Sequence, residues 1–196
     1  MTFADLDLTK TYSYADYCQW KFQDLLELIK GKIFEIGPAP SSLHQSISRE
    51  ISGELWLFLK GEKCSVFSAP FDVRIPRKSG SDKDIINVVQ PDICVICDPN
   101  KIDVRGCLGA PDIVIEILSP TNSKRELKYK YDVYEEAGVL EYWLVLSGEH
   151  AVLIHRLVEG KFVPQGMLSD ADVATSTVLP GFSLPLANVF KNITDL

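Results

Sequence analysis

The chain has 196 residues, 46% of them hydrophobic and 24% charged, and 20 basic residues against 27 acidic ones leave a formal net charge of −7. This composition excludes a disordered chain, a collagen-like repeat and a small disulfide scaffold, and the length suits a single domain over residues 1–196. The acidic balance excludes attachment to nucleic acid by overall charge, which needs a basic face to displace counterions; a locally basic channel or a bound divalent cation stays open.

In chain order, Tyr14 to Trp20 predicts a short helix, and Leu26–Ile29 and Lys32–Ile36 read as two strands around the turn Lys30-Gly31. Ser41 or Ser42 is the N-cap of a long helix in which Leu43, Ile47, Ile51 and Leu55 recur every four residues. Trp56 and Phe58 extend its apolar side, and it ends near Gly61. Three apolar runs, Ser65–Ile75, Val88–Cys97 and Ile113–Leu118, predict strands, the last apolar enough to be central and buried on both faces. A second helix runs from Ser123 to Ala137, with Leu127, Tyr131 and Tyr134 inside and Gly138 as C-terminal cap. Glu141–Leu146 and Ala151–Leu157 form a hairpin, and Phe162-Val163 offers one more strand. The order of elements indicates an α/β or α+β sheet protein with helices on its faces.

No stretch approaches the ~18 apolar residues of a membrane span. Met1 to Asp5 opens without a basic segment followed by an apolar one, so a soluble, cytoplasmic protein is expected. The five cysteines (Cys18, Cys64, Cys94, Cys97, Cys107) are odd in number and sit in apolar surroundings, which predicts buried, reduced thiols. Cys94 and Cys97 have metal-like spacing, but residues three apart on a strand point to opposite faces and no second pair follows.

The chemistry concentrates in Gln90-Pro91-Asp92-Ile93 and Ile115-Glu116-Ile117-Leu118-Ser119-Pro120. Carboxylates inside or at the ends of apolar strands are costly unless paired, hydrogen-bonded or metal-bound. On adjacent strands Asp92 and Glu116 would meet, and such hard oxygen ligands suit Mg²⁺ or Mn²⁺, with the Ile117 carbonyl completing the protein's share. Asp112, after Pro111, reads as a solvated or turn-capping residue. Glu126, Lys130 and Tyr134 recur every four residues on one helix face. Spacing leaves Lys130 divided between a surface ion pair and an approach to the carboxylates, where an ammonium would stabilise transition-state charge and orient the attacking water. For Glu27, strand alternation allows a solvent-facing residue in a hairpin as readily as a functional one. His44 and Gln45 stand at the start of the long helix, where capping, a surface position and phosphate contact are all open.

Taken in order, these elements resemble the Uma family of restriction-endonuclease-like bacterial proteins: Glu27 in Leu26-Glu27-Leu28-Ile29-Lys30-Gly31, His44-Gln45, Pro91-Asp92, Ala110-Pro111-Asp112, Glu116 to Pro120, Glu126 to Lys130 to Tyr134, and Gly138 to Trp143. The similarity continues to Leu179-Pro180-Gly181-Phe182 and so covers nearly the whole chain. The resemblance implies a PD-(D/E)XK nuclease-like fold, a restriction-endonuclease-like central mixed β-sheet flanked by helices. It implies Asp92 and Glu116 as metal ligands and Glu27 as an acidic site residue that ligands the metal or orients a water. The standard lysine position holds Leu118, and Lys130 matches the substitute supplied by the next helix.

The function expected is a metal-dependent DNA endonuclease with Asp92, Glu116, Lys130 and Glu27 in its catalytic site, and Asp92, Glu116 and Ile117 on Mg²⁺ or Mn²⁺. A homodimer is expected because a duplex has two strands. Basic stretches at Arg74, Arg77, Lys78 and Lys83, and at Lys124, Arg125, Lys128 and Lys130, flank the site. The alternative is a non-catalytic nuclease-like scaffold that binds nucleic acid or a protein partner. Proximity of Lys130 to Glu116 discriminates: a few Å supports catalysis, and a solvent-facing lysine supports the scaffold.

Overall fold

The computed structural model describes residues 6–20, 26–35, 39–77, 80–119 and 124–191, with the backbone alone for residues 124–126. Helix α1 (Tyr14–Tyr17) precedes the hairpin β1 (Leu26–Ile29) and β2 (Lys32–Glu35). Helix α2 (Ser42–Leu59) buries Ile47, Ile51, Leu55 and Leu59, one residue per turn, and the Ser41 hydroxyl caps it by accepting from the His44 amide at 3.2 Å. Trp56 and Phe58 were expected on that apolar side, yet they are 54% and 37% exposed. Each lies about 100° around the helix from a buried leucine, which turns it outward.

The strands form two six-stranded sheets and one pair. The first sheet orders β2, β1, β5 (Ile85–Val89), β4 (Val73–Pro76), β8 (Gly106–Leu108) and β7 (Ile102–Asp103). The second orders β12 (Lys161–Ser169), β11 (Ala151–Val158), β10 (Glu141–Leu146), β9 (Ile113–Leu118), β6 (Ile93–Ile96) and β3 (Ser65–Ser68). Pairing is antiparallel except for β9 with β10 and β4 with β8. Strands β13 (Val173–Thr175) and β14 (Ser183–Pro185) form the small pair, followed by α4 (Leu186–Phe190). The architecture is α+β with mixed sheets, as expected.

Two apolar runs read as single strands are each divided between the sheets. Ser65–Ile75 separates into β3 and β4, and Val88–Cys97 into the end of β5 and the whole of β6. Pro70 and Pro91 sit at the breaks, where a residue without an N–H cannot continue a ladder. The two crossings are tied together by the Ala69 amide on the Asp92 carbonyl at 3.0 Å. Asp92 therefore stands at the mouth between the sheets rather than within a strand.

Strand β9 is central, as its composition predicted, with β6 on one side and β10 on the other. Its odd-numbered residues Ile113, Ile115 and Ile117 pack with α2, Trp143 and the C-terminal elements in one core. Val114, on the face that Glu116 shares by strand alternation, joins a second core with Val133, Tyr134 and Tyr142 and with Ile29, Val73 and Val89 of the first sheet. Helix α3 (Lys124–Ala137) lies on this second face, and Gly138 at φ +85° closes it in the left-handed conformation. Tyr134 is fully buried as expected, whereas Leu127 and Tyr131 are only half-buried; Lys130 and Val133 take the inner positions. Strand β12 extends well beyond Phe162-Val163, because most of its side chains are exposed and leave no apolar signal.

The expectation of five buried, reduced thiols is corrected. Cys64, just before β3, and Cys97, just after β6, form a disulfide, and Cys18 is exposed; Cys94 and Cys107 are the buried free thiols. Cys94 and Cys97 face opposite cores, the arrangement strand alternation gives residues three apart. The disulfide removes the cysteine-based argument for a reducing compartment. No helix of the described residues is long and apolar enough to cross a membrane.

Candidate active site

Four elements bring charged groups to one place. Glu27 on β1 was open to a solvent-facing reading under simple alternation, but β1 lies between two strands with α3 across it, and Glu27 is 1% exposed. Glu116 projects from β9 into the same layer, 6% exposed. Lys130, from the inner face of α3, lies 2.9 Å from Glu27 Oε1 and 3.2 Å from Glu116 Oε1. The ammonium thus bridges two buried carboxylates from the two sheets. This is the geometry that discriminates against a solvent-facing lysine.

Each carboxylate has a second anchor. Glu27 Oε1 accepts the Gln90 amide at 2.7 Å, and the Gln90 side chain donates to Asp72 Oδ1 at 2.8 Å. Glu116 Oε1 accepts the Tyr134 hydroxyl at 2.8 Å, one helical turn beyond Lys130. Asp92 Oδ2 accepts the Ile117 amide at 2.7 Å. Ile117 lies beyond the last residue paired with β6, so Asp92 caps an amide that the ladder leaves free. In an extended strand the N–H and C=O of one residue point to the same edge, which directs the Ile117 carbonyl toward Asp92 as well.

The fourth contributor is His44, in the first turn of α2. Its Nε2 is 3.2 Å from Asp92 Oδ1, with the two side chains 17% and 21% exposed. The bond to Asp92 raises the imidazole pKa above its usual value against the cost of burial, and the charges of Asp92 and Glu116 add to the rise. Glu116 is pushed up to about 8, chiefly by burial; Lys130 opposes the rise, while the negative charges of Asp92 and Glu27 add to it. Burial and the Glu116 charge likewise hold the Tyr134 hydroxyl protonated, well above the usual phenol value.

Three carboxyl groups therefore face one ammonium and one imidazole, and their hard oxygen donors are of the kind that fits a divalent cation. Among the described residues no three His, Cys, Asp or Glu side chains already close around one point. Asp92 and His44 stand on one side, while Glu116 and Glu27 are gathered around Lys130 on the other. A cation held by Asp92 and Glu116 would draw Glu116 away from the lysine and leave Glu27 beside it.

Other expectations fare differently. Arg74 belongs to no basic surface: it is fully buried, paired with Asp103 at 2.5 Å and stacked on Tyr14 at 5.4 Å. Arg77, Lys83 and Lys128 are exposed, Lys128 facing Asp132 at 3.4 Å. Lys78 lies outside the described residues, as do the side chains of Lys124, Arg125 and Glu126. Asp112 has the capping role expected, accepting the Cys97 amide at 2.7 Å. Gln45 is exposed at the helix start. Sequence reasoning missed the contacts of Gln90, although its position two residues before Asp92 marks the same crossing between sheets.

Comparison with known proteins bears on the family and the fold. A family model described as "Uma2: Putative restriction endonuclease" matches residues 14–187. A crystal structure from Anabaena variabilis ATCC 29413, described as a "putative nuclease belonging to DUF820", has the same fold, with a TM-score of 0.71 and 19% identity over 92% of this chain and 98% of the other. A protein of Synechocystis sp. (strain ATCC 27184 / PCC 6803 / Kazusa), described as uncharacterized, is 25% identical over 134 residues. That alignment covers 67% of this chain and 66% of the relative, just under two thirds of the relative's length. The match over residues 14–187 spans the hairpin of Glu27, the crossing at Asp92, β9 and α3, and by it the chain belongs to the Uma2 restriction-endonuclease-like family.

Proposed function

We propose that the protein is a metal-dependent endonuclease that hydrolyses DNA phosphodiester bonds, using Mg²⁺ or Mn²⁺. The observation that carries this reading is the placement of Lys130 between Glu27 and Glu116, at 2.9 and 3.2 Å, from an element separate from either carboxylate. A scaffold kept only for its shape has no need of three buried ionisable groups, two of which, Glu27 and Lys130, form a buried ion pair at 2.9 Å.

In the proposed mechanism Asp92 and Glu116 would hold the cation, with the Ile117 carbonyl as a third protein donor. When bound, the cation supplies charge stabilisation at the phosphate and lowers the pKa of a water nucleophile. Asp92 is oriented for its task by the Ile117 amide on Oδ2, and Glu116 by the Tyr134 hydroxyl on Oε1. Lys130, freed from Glu116, orients the attacking water or meets the growing negative charge on the phosphate oxygens. Glu27, buried beside it at 2.9 Å, holds the Lys130 side chain within reach. DNA contact is local, through exposed residues such as Arg77 and Lys83, since the net charge of −7 opposes binding elsewhere. Two strands of a duplex favour action as a homodimer, and a cytoplasmic location belongs to the same proposal.

The test is cleavage of supercoiled plasmid and of short single-stranded DNA with Mg²⁺, with Mn²⁺ and with EDTA. Nicked or linear plasmid is expected with either metal, none with EDTA and none with Glu116→Ala. Folded, metal-binding protein that cuts neither substrate would favour the scaffold. Cleavage unaffected by Glu116→Ala would place the chemistry elsewhere.

A further inference from the structure

We infer that His44 is itself a ligand of the catalytic metal, which makes Mn²⁺ rather than Mg²⁺ the ion the site prefers; the inference rests on the metal site proposed above. The orientation of Asp92 carries the first part of the argument. Its Oδ2 is committed to the Ile117 amide at 2.7 Å, so Oδ1 is the oxygen turned toward a cation, and Oδ1 is the atom beside which His44 Nε2 lies at 3.2 Å. Two neighbouring ligands at about 2.1 Å from one octahedral ion stand about 3 Å apart. Nε2 and Oδ1 are already separated by nearly that span.

The backbone explains why the imidazole is there. His44 sits in the first turn of α2, whose start is fixed by the Ser41 cap and whose next turn is fixed by Ile47 in the core. The side chain reaches Asp92 without loosening either anchor. A ligating Nε2 keeps its proton on Nδ1, which is buried and has no acceptor among the described residues. The imidazole is therefore a ligand without the outer partner that commonly strengthens one, and its contribution is moderate.

The consequence is selectivity. Carboxylates and carbonyls accept Mg²⁺ and Mn²⁺ alike, whereas an imidazole nitrogen favours the transition metal. A site of Asp92, Glu116 and the Ile117 carbonyl alone would lack that bias. With His44 it binds Mn²⁺ more tightly than Mg²⁺.

The test uses the full chain and Mn²⁺ alone, followed by electron paramagnetic resonance, with Mg²⁺ as competitor. Wild-type protein is expected to show nitrogen modulation of the bound Mn²⁺ signal in pulsed measurements. His44→Ala and His44→Gln should lose it, with Mn²⁺ affinity falling by about tenfold and the Mg²⁺ competition constant staying nearly unchanged. Circular dichroism on each variant establishes that the fold is retained, and two substitutions guard against a local collapse in one of them. Bound Mn²⁺ with no nitrogen modulation in the wild type would overturn the assignment, as would equal losses for the two metals. Asp92→Ala separates this outcome from failure of the site as a whole: if that variant binds Mn²⁺ like wild type, the proposed metal site falls, and His44 with it.

Discussion

Lys130→Met is expected to abolish cleavage and, in metal-free protein at neutral pH, to lower stability by about 3–5 kcal/mol, the usual cost of leaving a buried charge without its partner. Glu27 and Glu116 are 1% and 6% exposed, and Lys130 contacts both, so the methionine keeps the length of the side chain while removing the shared countercharge. The pH dependence has a defined sign. Glu116 has a pKa raised from 4.5 to about 8 in the folded protein, so between those values the folded state binds more protons than the unfolded one. Stability from this group is complete below about pH 4.5 and is lost as pH rises through 8. Loss of the lysine raises the carboxyl further and widens the window. Chemical denaturation of wild type and Lys130→Met across neutral and alkaline pH should show the variant's deficit growing above about pH 8, where wild-type Glu116 has ionised beside its lysine and the variant's carboxyl still binds a proton. A constant deficit would mean that the lysine contributes packing and not charge.

The second large effect lies away from the site. Glu141 is fully buried, and its Oε1 accepts from the Thr177 amide and hydroxyl at 2.7 and 2.6 Å while Oε2 accepts the Trp143 indole at 3.0 Å. Arg156 stands 3.5 Å away. This carboxylate pins the segment leading to β14 and α4 onto the start of β10. Glu141→Ala strands three donors at about 1–3 kcal/mol each when buried, and a total loss of about 3–5 kcal/mol is expected. The melting temperature reads it directly. The metal-dependent steps at Glu116 should survive at temperatures where the variant is folded, because Glu141 contacts none of the site residues described.

How much of this was legible in the sequence depends on how far each signal travels along the chain. Helix α2 and strand β9 declare themselves in local patterns, a four-residue apolar repeat after a serine cap and an almost unbroken apolar run. Their positions follow within a residue or two. The strand divisions at Pro70 and Pro91 were hidden because each run stays apolar while changing sheets. Alternation left Glu27 undecided for a related reason: β1 has all four residues buried, since both faces are covered, and alternation holds only where one face meets water. Lys130 and Glu116 are 14 residues apart, and only the packing of α3 on β9 decides between a solvated helix and a buried ion pair. The family resemblance supplied that choice. Arg74 shows the opposite failure, a charge run that looks like a DNA-binding surface when its first residue is a fully buried partner of Asp103. The Cys64–Cys97 bridge escaped because residues 33 apart reveal pairing only when β3 is laid beside β6.

The most direct test of the central claim is anomalous diffraction from crystals of the wild-type protein soaked in Mn²⁺, with Asp92→Ala crystals treated alike. A single strong peak between Asp92 and Glu116, with the Lys130 ammonium drawn away from Glu116 toward Glu27 and the peak absent from the variant, is the predicted result. A peak elsewhere on the molecule, or Lys130 still bridging both glutamates in fully soaked crystals that diffract well, would contradict the account.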